Sequence, residues 1–156
     1  MSRSRSDVVT VERVIPAEPK AIFDLLADPA RHREIDGSGS VREAEGGSQR
    51  LALGSRFGMA MKMGLRYSMS SEVVEFEDDR RIAWQTRGPG PIGGRLGGRI
   101  WRYELEPVEG GTLVRESWDL TTESTLSKPI VRRGAKGTRK NMAATLERIE
   151  QVVADS

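Results

Sequence analysis

The sequence contains no cysteine and a single histidine, His32. Without cysteine the chain has no disulfide framework, no thiolate metal site and no thiol nucleophile. One imidazole also excludes the histidine-rich zinc and iron sites, which need two or more. We therefore expect neither a bound metal nor a cofactor. Long apolar runs are missing too, since none approaches the ~20 residues that cross a bilayer.

The first six residues, Met-Ser-Arg-Ser-Arg-Ser, are polar and lack the apolar stretch of a secretory signal. A length of 156 residues corresponds to one domain. Basic residues outnumber acidic ones by only 25 to 23, a balance that excludes a dedicated nucleic-acid binder. Arginine supplies most of the positive charge, which is typical of a GC-rich bacterial genome. We expect a cytoplasmic bacterial protein with no specific nucleic-acid partner.

One stretch near the C-terminus departs from this balance, because residues 128–140 hold six basic side chains and no acid. They predict at most weak contact with an anionic membrane or with an anionic group of a ligand. The alternative is a solvated helix face in an arginine-rich chain. The six residues are Lys128, Arg132, Arg133, Lys136, Arg139 and Lys140.

Hydrophobic periodicity predicts strands, two short helices and one long helix. Strands are expected at 7–15, 41–45, 55–63, 67–76, 81–87, 99–106 and 112–121. Helices are expected at 19–27, 29–35 and 127–154, with Ser127 as the cap of the last. Gly134 and Gly137 should kink or fray the first half of that helix, since each costs about 1 kcal/mol relative to alanine.

This order of elements indicates a two-layer α+β domain, in which an antiparallel sheet is covered by one long helix. Four stretches carry a resemblance to a known family: 11–17 (VERVIPA), 23–31 (FDLLADPAR), 73–76 (VVEF) before 80–84 (RRIAW), and 110–114 (GGTLV). With them the chain resembles the START-type helix-grip superfamily (SRPBCC), and within it the bacterial polyketide cyclase/dehydrase and lipid-transport group.

The resemblance implies a helix-grip fold over residues 1–156, a single START-like ligand-binding domain. A curved antiparallel sheet of about seven strands would wrap around the C-terminal helix and leave an elongated cavity between them. Members of the superfamily include cyclases, hydroxylase components, lipid carriers and hormone receptors, so the fold does not name the ligand.

Residues 88–93 match the pattern G-x-G-x-x-G, but two prolines and the lack of a following helix exclude a dinucleotide site. We interpret residues 88–98 as a mobile loop at the cavity mouth.

Methionine and aromatic side chains recur on the strand faces that would line this cavity. Methionine is common where a surface accepts varied apolar partners, although the same residues could simply fill a core. The predicted ligand-binding residues are Phe57, Met59, Met61, Met69, Trp84, Trp101, Tyr103 and Trp118. Met59, Met61, Trp101 and Trp118 in particular are predicted to face the helix and contact the cavity.

Glu116 is the most interesting acid, because alternation places it on the same strand face as Val114, Trp118 and Leu120. If that face is inward, burial raises its pKa toward general acid or base use. The alternative is a structural carboxylate held by an arginine. We expect the arginine-paired case, in which Glu116→Gln would cost on the order of 3–5 kcal/mol.

Two further residues, Tyr103 and His32, could assist Glu116 in catalysis. Tyr103 could orient a carbonyl or phenol, as could Tyr67 and, less strongly, Asp36. The charged neighbours of His32 predict an exposed turn, so a structural role is favoured for it.

Two functions therefore remain open. The first is a binding module for one apolar or amphipathic small molecule, such as a lipid, polyketide or aromatic compound. The second is a cofactor-free cyclase/dehydratase-type enzyme, in which the cavity folds a reactive chain and Glu116 moves a proton. Two or more convergent polar groups in the cavity would favour catalysis, and one isolated acid would favour binding. Either a monomer or a homodimer is compatible with the sequence.

Overall fold

The computed structural model of the protein describes residues 7–38, 41–45, 48–63, 65–88 and 97–154. Side chains are described for the same residues, except those of 42–45, 62, 63 and 65–67. The core of the predicted glycine-proline loop (89–96) and the side chain of Tyr67 therefore lie outside the described residues.

Within these described residues, seven strands form one antiparallel sheet in the order β1-β7-β6-β5-β4-β3-β2. The strands are β1 Val8–Ile15, β2 Val41–Glu45, β3 Arg56–Met63, β4 Leu65–Glu77, β5 Arg81–Arg87, β6 Gly97–Val108 and β7 Gly111–Asp119. The helices are α1 Pro19–Leu26, a 3₁₀ turn Pro29–Arg31, α2 His32–Ile35, α3 Lys128–Arg132 and α4 Ala135–Ala154. This confirms the predicted α+β helix-grip fold.

The C-terminal helix is interrupted where glycine was expected to weaken it. Helix α3 ends at Arg132 and α4 begins at Ala135, so the break falls at residues 133–134. Gly137 lies within α4 and does not interrupt it. Ser127 is the N-cap residue of α3, as predicted, but its side chain forms no cap hydrogen bond. Its hydroxyl donates to Glu123 and not to the helix backbone.

The core lies between the inner face of the sheet and the apolar stripe of α4. Met142, Leu146 and Ile149 of α4 are all buried, at the period-3.6 spacing that places them on one face. An ion pair between Arg13 Nε and Glu150 Oε1, 2.8 Å long, links β1 to α4 at the edge of this interface. The sheet face that covers this apolar stripe is the inner face, and its side chains point toward α4.

Gly37 allows the turn after α2 to lie directly against α4. A Cβ at this position would overlap the carbonyl oxygen of Asn141 and lie 2.6 Å from the backbone nitrogen of Thr145. The Gly37 N–H donates to Thr145 Oγ1 at 2.9 Å. The two nearest atoms belong to the backbone and the third is the Cβ of Ala144 at 2.8 Å, so none of them can rotate away from an added side chain.

We expect Gly37→Ala to destabilise the fold by about 3 kcal/mol, because the turn and α4 must separate. Gly137→Ala is the matched control, since a Cβ added at Gly137 would have nothing within 4 Å. There alanine should add up to about 1 kcal/mol of stability. Urea unfolding of both variants measures the difference, and equal stabilities would show that α4 does not press on the turn.

Candidate ligand-binding site

A cavity of about 290 Å³ lies between the inner face of the sheet, α2 and α4. The cross-strand register places its apolar side chains together, because Met59 pairs with Met69 and Trp84 pairs with Trp101. Directly paired residues point to the same face of an antiparallel sheet. Seven of the eight predicted ligand-binding residues line the cavity: Phe57, Met59, Met61, Met69, Trp84, Trp101 and Tyr103.

Trp118 is the exception, and the prediction that it contacts the cavity is wrong. It is buried, but in a second cluster with Val9, Leu120 and Met142. Its ring centroid lies 6.0 Å from that of Trp101. Trp118 faces the helix as expected, yet it does not appear among the described residues that line the cavity. Alternation shows on which face of a strand a residue lies. How far that residue is from the cavity depends on where the helices pack, which alternation does not show.

A hydrogen-bonded pair, Tyr103 and Glu116, forms part of the cavity wall. The two residues are direct partners on β6 and β7, and the Tyr103 hydroxyl donates to Glu116 Oε2 at 2.9 Å. Both side chains are buried. The other carboxyl oxygen, Oε1, has no hydrogen-bond partner among the described residues.

Burial raises the pKa of Glu116 to about 8, since a carboxylate is poorly solvated there. The hydrogen bond from Tyr103 opposes this shift, and the charge of Asp36 adds to it. Burial also raises the pKa of the Tyr103 phenol well above its ordinary value. Across the described part of the chain, no arginine forms an ion pair with Glu116. The expected arginine-paired carboxylate is therefore wrong, and Glu116 is protonated at neutral pH.

His32 is buried in the cavity wall, so the expected exposed turn is also wrong. Its charged neighbours Arg31 and Glu34 bind each other on the solvent side of α2, which leaves the imidazole facing inward. The ring stacks on Trp84 with centroids 4.9 Å apart. Its Nε2 lies 2.8 Å from the Leu26 carbonyl oxygen, and burial lowers its pKa. The ring is therefore neutral, with the proton on Nε2 and Nδ1 left as an acceptor.

Several polar wall residues were not predicted from the sequence. Arg99 lines the cavity, and its guanidinium donates through Nε and Nη2 to the two carboxyl oxygens of buried Glu123, at 3.1 and 3.3 Å. Arg99, Trp101 and Tyr103 are two residues apart along β6, so this spacing could have predicted that Arg99 lies on the inner face. The others are Ser38, Ser71, Thr86, Thr138, Asn141 and Thr145. Asp36, a weaker candidate, also lines the cavity.

The six basic residues of 128–140 lie outside the described cavity lining. Lys128 and Arg132 form ion pairs with Asp7, and Arg139 donates to the carbonyl oxygen of Thr10. Lys128, Arg132 and Arg139 thus hold the start of β1 against the C-terminal helices.

The model of the family described as "Polyketide cyclase / dehydrase and lipid transport" matches residues 6–154. The chain belongs to this family. It is thereby a member of the START-type helix-grip superfamily, as the resemblance implied. The family description spans cyclases and lipid carriers, and names no ligand for this cavity.

Relatives of known sequence or structure agree with this placement. The chain is 33% identical over 140 residues to the uncharacterized protein Rv0088 of Mycobacterium tuberculosis, covering 88% of this chain and 58% of that one. This chain thus spans little more than half of that relative. A solution structure from Arthrobacter aurescens has a TM-score of 0.75 at 16% identity, covering 100% of this chain and 91% of that one. DynU16, a putative protein in the dynemicin biosynthetic locus, has a TM-score of 0.63 at 14% identity over 95% of this chain and 47% of its own. At such identities the two structures show the fold alone.

Two negative findings hold for the described residues. No group of three or more histidine, cysteine, aspartate or glutamate side chains there could hold a metal ion. No helix among them is long and apolar enough to cross a membrane.

Proposed function

We propose that this family member is a cytoplasmic binding protein for one apolar or amphipathic small molecule, of the lipid, polyketide or aromatic class. The observation that carries the proposal is an internal cavity whose wall combines methionine and aromatic side chains with a few buried polar groups. Such sites are concave, mostly apolar and fixed by few polar contacts. The whole described chain acts as one ligand-binding domain in this proposal.

The size of the cavity favours a compact ligand. A volume of about 290 Å³ lies at the lower end of the range of about 300–1,000 Å³ that is usual for small-molecule pockets. One or two fused rings, or a short polyketide, match this space better than a diacyl lipid. Methionines 59, 61 and 69 give the wall some freedom to adjust its shape to the ligand.

The charges of the wall favour an uncharged ligand with a hydrogen-bonding oxygen. Glu116 is protonated and His32 is neutral at pH 7, while the carboxylate of Glu123 balances Arg99. An anionic ligand would find no unpaired cation among the described lining residues, and Asp36 would repel it. A carbonyl or hydroxyl group could instead bond to the Tyr103–Glu116 pair.

The expected result is selective binding of a neutral ring compound. Methyl naphthyl ketone should quench the fluorescence of Trp84 and Trp101 with micromolar affinity, because both indoles line the cavity. Naphthoate, with the same number of non-hydrogen atoms but a negative charge, should bind at least tenfold more weakly at pH 7. Fluorescence titration with both probes measures the two affinities, and equal affinities would contradict the selectivity argument.

Native mass spectrometry of the purified protein should show a co-purified uncharged small molecule. Failure of both experiments would overturn the binding function.

The Tyr103–Glu116 pair favours a second candidate, a cyclase/dehydratase-type enzyme. A carboxylic acid kept neutral in an apolar site can donate a proton or a hydrogen bond at pH 7. In this alternative Glu116 donates a proton to the oxygen of a reacting carbonyl or departing hydroxyl, while the Tyr103 hydroxyl holds the carboxyl group in position. His32 Nδ1 would accept a proton elsewhere on the substrate. The hydrogen bond between Tyr103 and Glu116 in the cavity wall is the observation that supports this alternative.

A further inference from the structure

Two large apolar side chains lie exposed in the segment that leads into the C-terminal helices. Leu126 is 67% exposed and Ile130 is 72% exposed. They are four residues apart, at the turn before α3 and within α3. Pro129 between them is exposed as well.

The opposite side of this segment is anchored to the protein, which fixes the outward direction of these side chains. Val131 and Ala135 pack against the cluster that contains Trp118. Lys128 and Arg132 bind the carboxylate of Asp7, with Arg132 Nη2 2.6 Å from Asp7 Oδ1. The apolar exposure at Leu126 and Ile130 is therefore a property of an ordered surface.

Positively charged side chains follow the apolar pair along the chain. Arg133, Lys136 and Lys140 are exposed, and none of their side chains forms an ion pair or hydrogen bond with the residues that the structure describes. From Ser124 to Lys140 the chain contains no acidic residue. Apolar side chains flanked by lysine and arginine suit the boundary between lipid headgroups and acyl chains.

We propose that this surface, formed by Leu126, Ile130, Arg133, Lys136 and Lys140, docks onto an anionic lipid bilayer. We call it the docking surface. The three cations would lie near lipid phosphates, and the two apolar side chains would insert among the upper acyl carbons. This docking is independent of which molecule the cavity binds.

The composition of the docking surface disfavours other occupants. A second copy of this chain would bring the same cations together across a twofold axis, which is repulsive. A nucleic acid would meet the positive charge but would leave Leu126 and Ile130 in water, with no aromatic side chain in residues 124–140 on which bases stack. An anionic bilayer satisfies both the charged and the apolar parts.

The docking surface is also close to the cavity. Ser127, between Leu126 and Ile130, donates a hydrogen bond to Glu123, and Glu123 binds Arg99 of the cavity wall. Thr138, in the same acid-free stretch, lines the cavity as well. A docked protein would thus hold its cavity near the membrane, where sparingly soluble apolar compounds accumulate.

The test is co-sedimentation of the full chain with vesicles of equal parts phosphatidylglycerol and phosphatidylcholine, and with vesicles of phosphatidylcholine alone. Binding is expected to the anionic vesicles only and should weaken as salt rises. Arg133→Gln/Lys136→Gln/Lys140→Gln should weaken binding about fivefold for each charge removed. Leu126→Ser/Ile130→Ser should weaken it about tenfold, through loss of apolar insertion.

Leu53→Ser is the matched control, because Leu53 is 68% exposed but lies outside the acid-free segment. It should bind vesicles as the wild type does, and quenching by methyl naphthyl ketone should be unchanged in every variant. The proposal is overturned if the wild type does not bind anionic vesicles. It is equally overturned if the Leu126→Ser/Ile130→Ser variant binds as tightly as the wild type. Loss of probe binding in the wild type would instead count against the cavity function and leave docking standing.

Discussion

At pH 8 the variant Glu116→Gln should be more stable than the wild type by about 2 kcal/mol, with a melting temperature several degrees higher. A pKa of about 8 in the folded state, against 4.5 in the unfolded chain, corresponds to at most about 5 kcal/mol of lost stability once the folded carboxyl ionises. Glutamine never ionises and can still accept the Tyr103 hydrogen bond. Its amide N–H groups lack a partner at the Oε1 position, which offsets part of the gain.

The pH dependence of this difference follows from the direction of the shift. Between pH 4.5 and 8 folded Glu116 keeps a proton that the unfolded chain has lost, so wild-type stability falls as pH rises through this range. Below about pH 4.5 both states are protonated and the advantage of glutamine disappears. The unpartnered amide N–H groups of glutamine cost stability at every pH, so at pH 5 the variant should melt below the wild type, and the order should reverse by pH 8.

Glu106→Gln is a suitable control for these melts, since Glu106 is exposed on the same sheet and should change stability by less than about 0.5 kcal/mol. A large loss of stability in Glu116→Gln at pH 8 would mean that a cation holds the carboxylate ionised, contrary to the geometry of the pair. If the protein is an enzyme, the same variant should lower turnover by about a hundredfold or more, because the proton donor is gone.

Met61→Asp should abolish binding of methyl naphthyl ketone, with affinity reduced at least a hundredfold. Met61 is partly buried and lines the cavity on β3, opposite Val41 of the edge strand β2. An aspartate there introduces a charge beside an apolar ligand and next to buried side chains, which costs several kcal/mol unless it is paired. Tryptophan quenching measures the affinity, and urea unfolding reports whether the variant remains folded.

Met61→Leu is the control variant, because leucine keeps the apolar wall and nearly the same volume. This substitution should lower the free energy of unfolding by less than about 1.5 kcal/mol. It should retain probe binding within a few-fold. If Met61→Asp keeps both its stability and its affinity, Met61 faces solvent and the assignment of the inner face of β3 is wrong.

Strand alternation and helix periodicity are local signals, and they predicted the fold well. Each strand shows side chains at period two and α4 shows an apolar stripe at period 3.6, so the type of each element follows from its own residues. Most errors were at the ends, such as β6 starting at Gly97 instead of 99 and β7 ending at Asp119 instead of 121. The weak point in the last helix was predictable too, since Gly134 is a poor helix former.

The protonation of Glu116 and the burial of His32 could not be predicted from such local patterns. Alternation placed Glu116 on the inner face, but whether an arginine reaches it depends on which strands pair with β7. The register puts Tyr103 opposite Glu116, while Arg102 on the outer face binds Glu75 and Asp119 instead. For His32, charged neighbours suggested solvent, yet one turn of helix is enough to turn the imidazole toward Trp84.

The sequence by itself determined the element order, the inward faces of most strands, the family and the apolar character of the candidate site. Only the tertiary structure decided the protonation of Glu116, the burial of His32, the exclusion of Trp118 from the cavity and the exposure of Leu126 and Ile130. The physical reason is that secondary structure and face depend on neighbours within a few residues, whereas solvation and pairing depend on side chains distant in sequence. Glu116 is neutral because the fold buries it and supplies one phenol and no cation to it among the described residues.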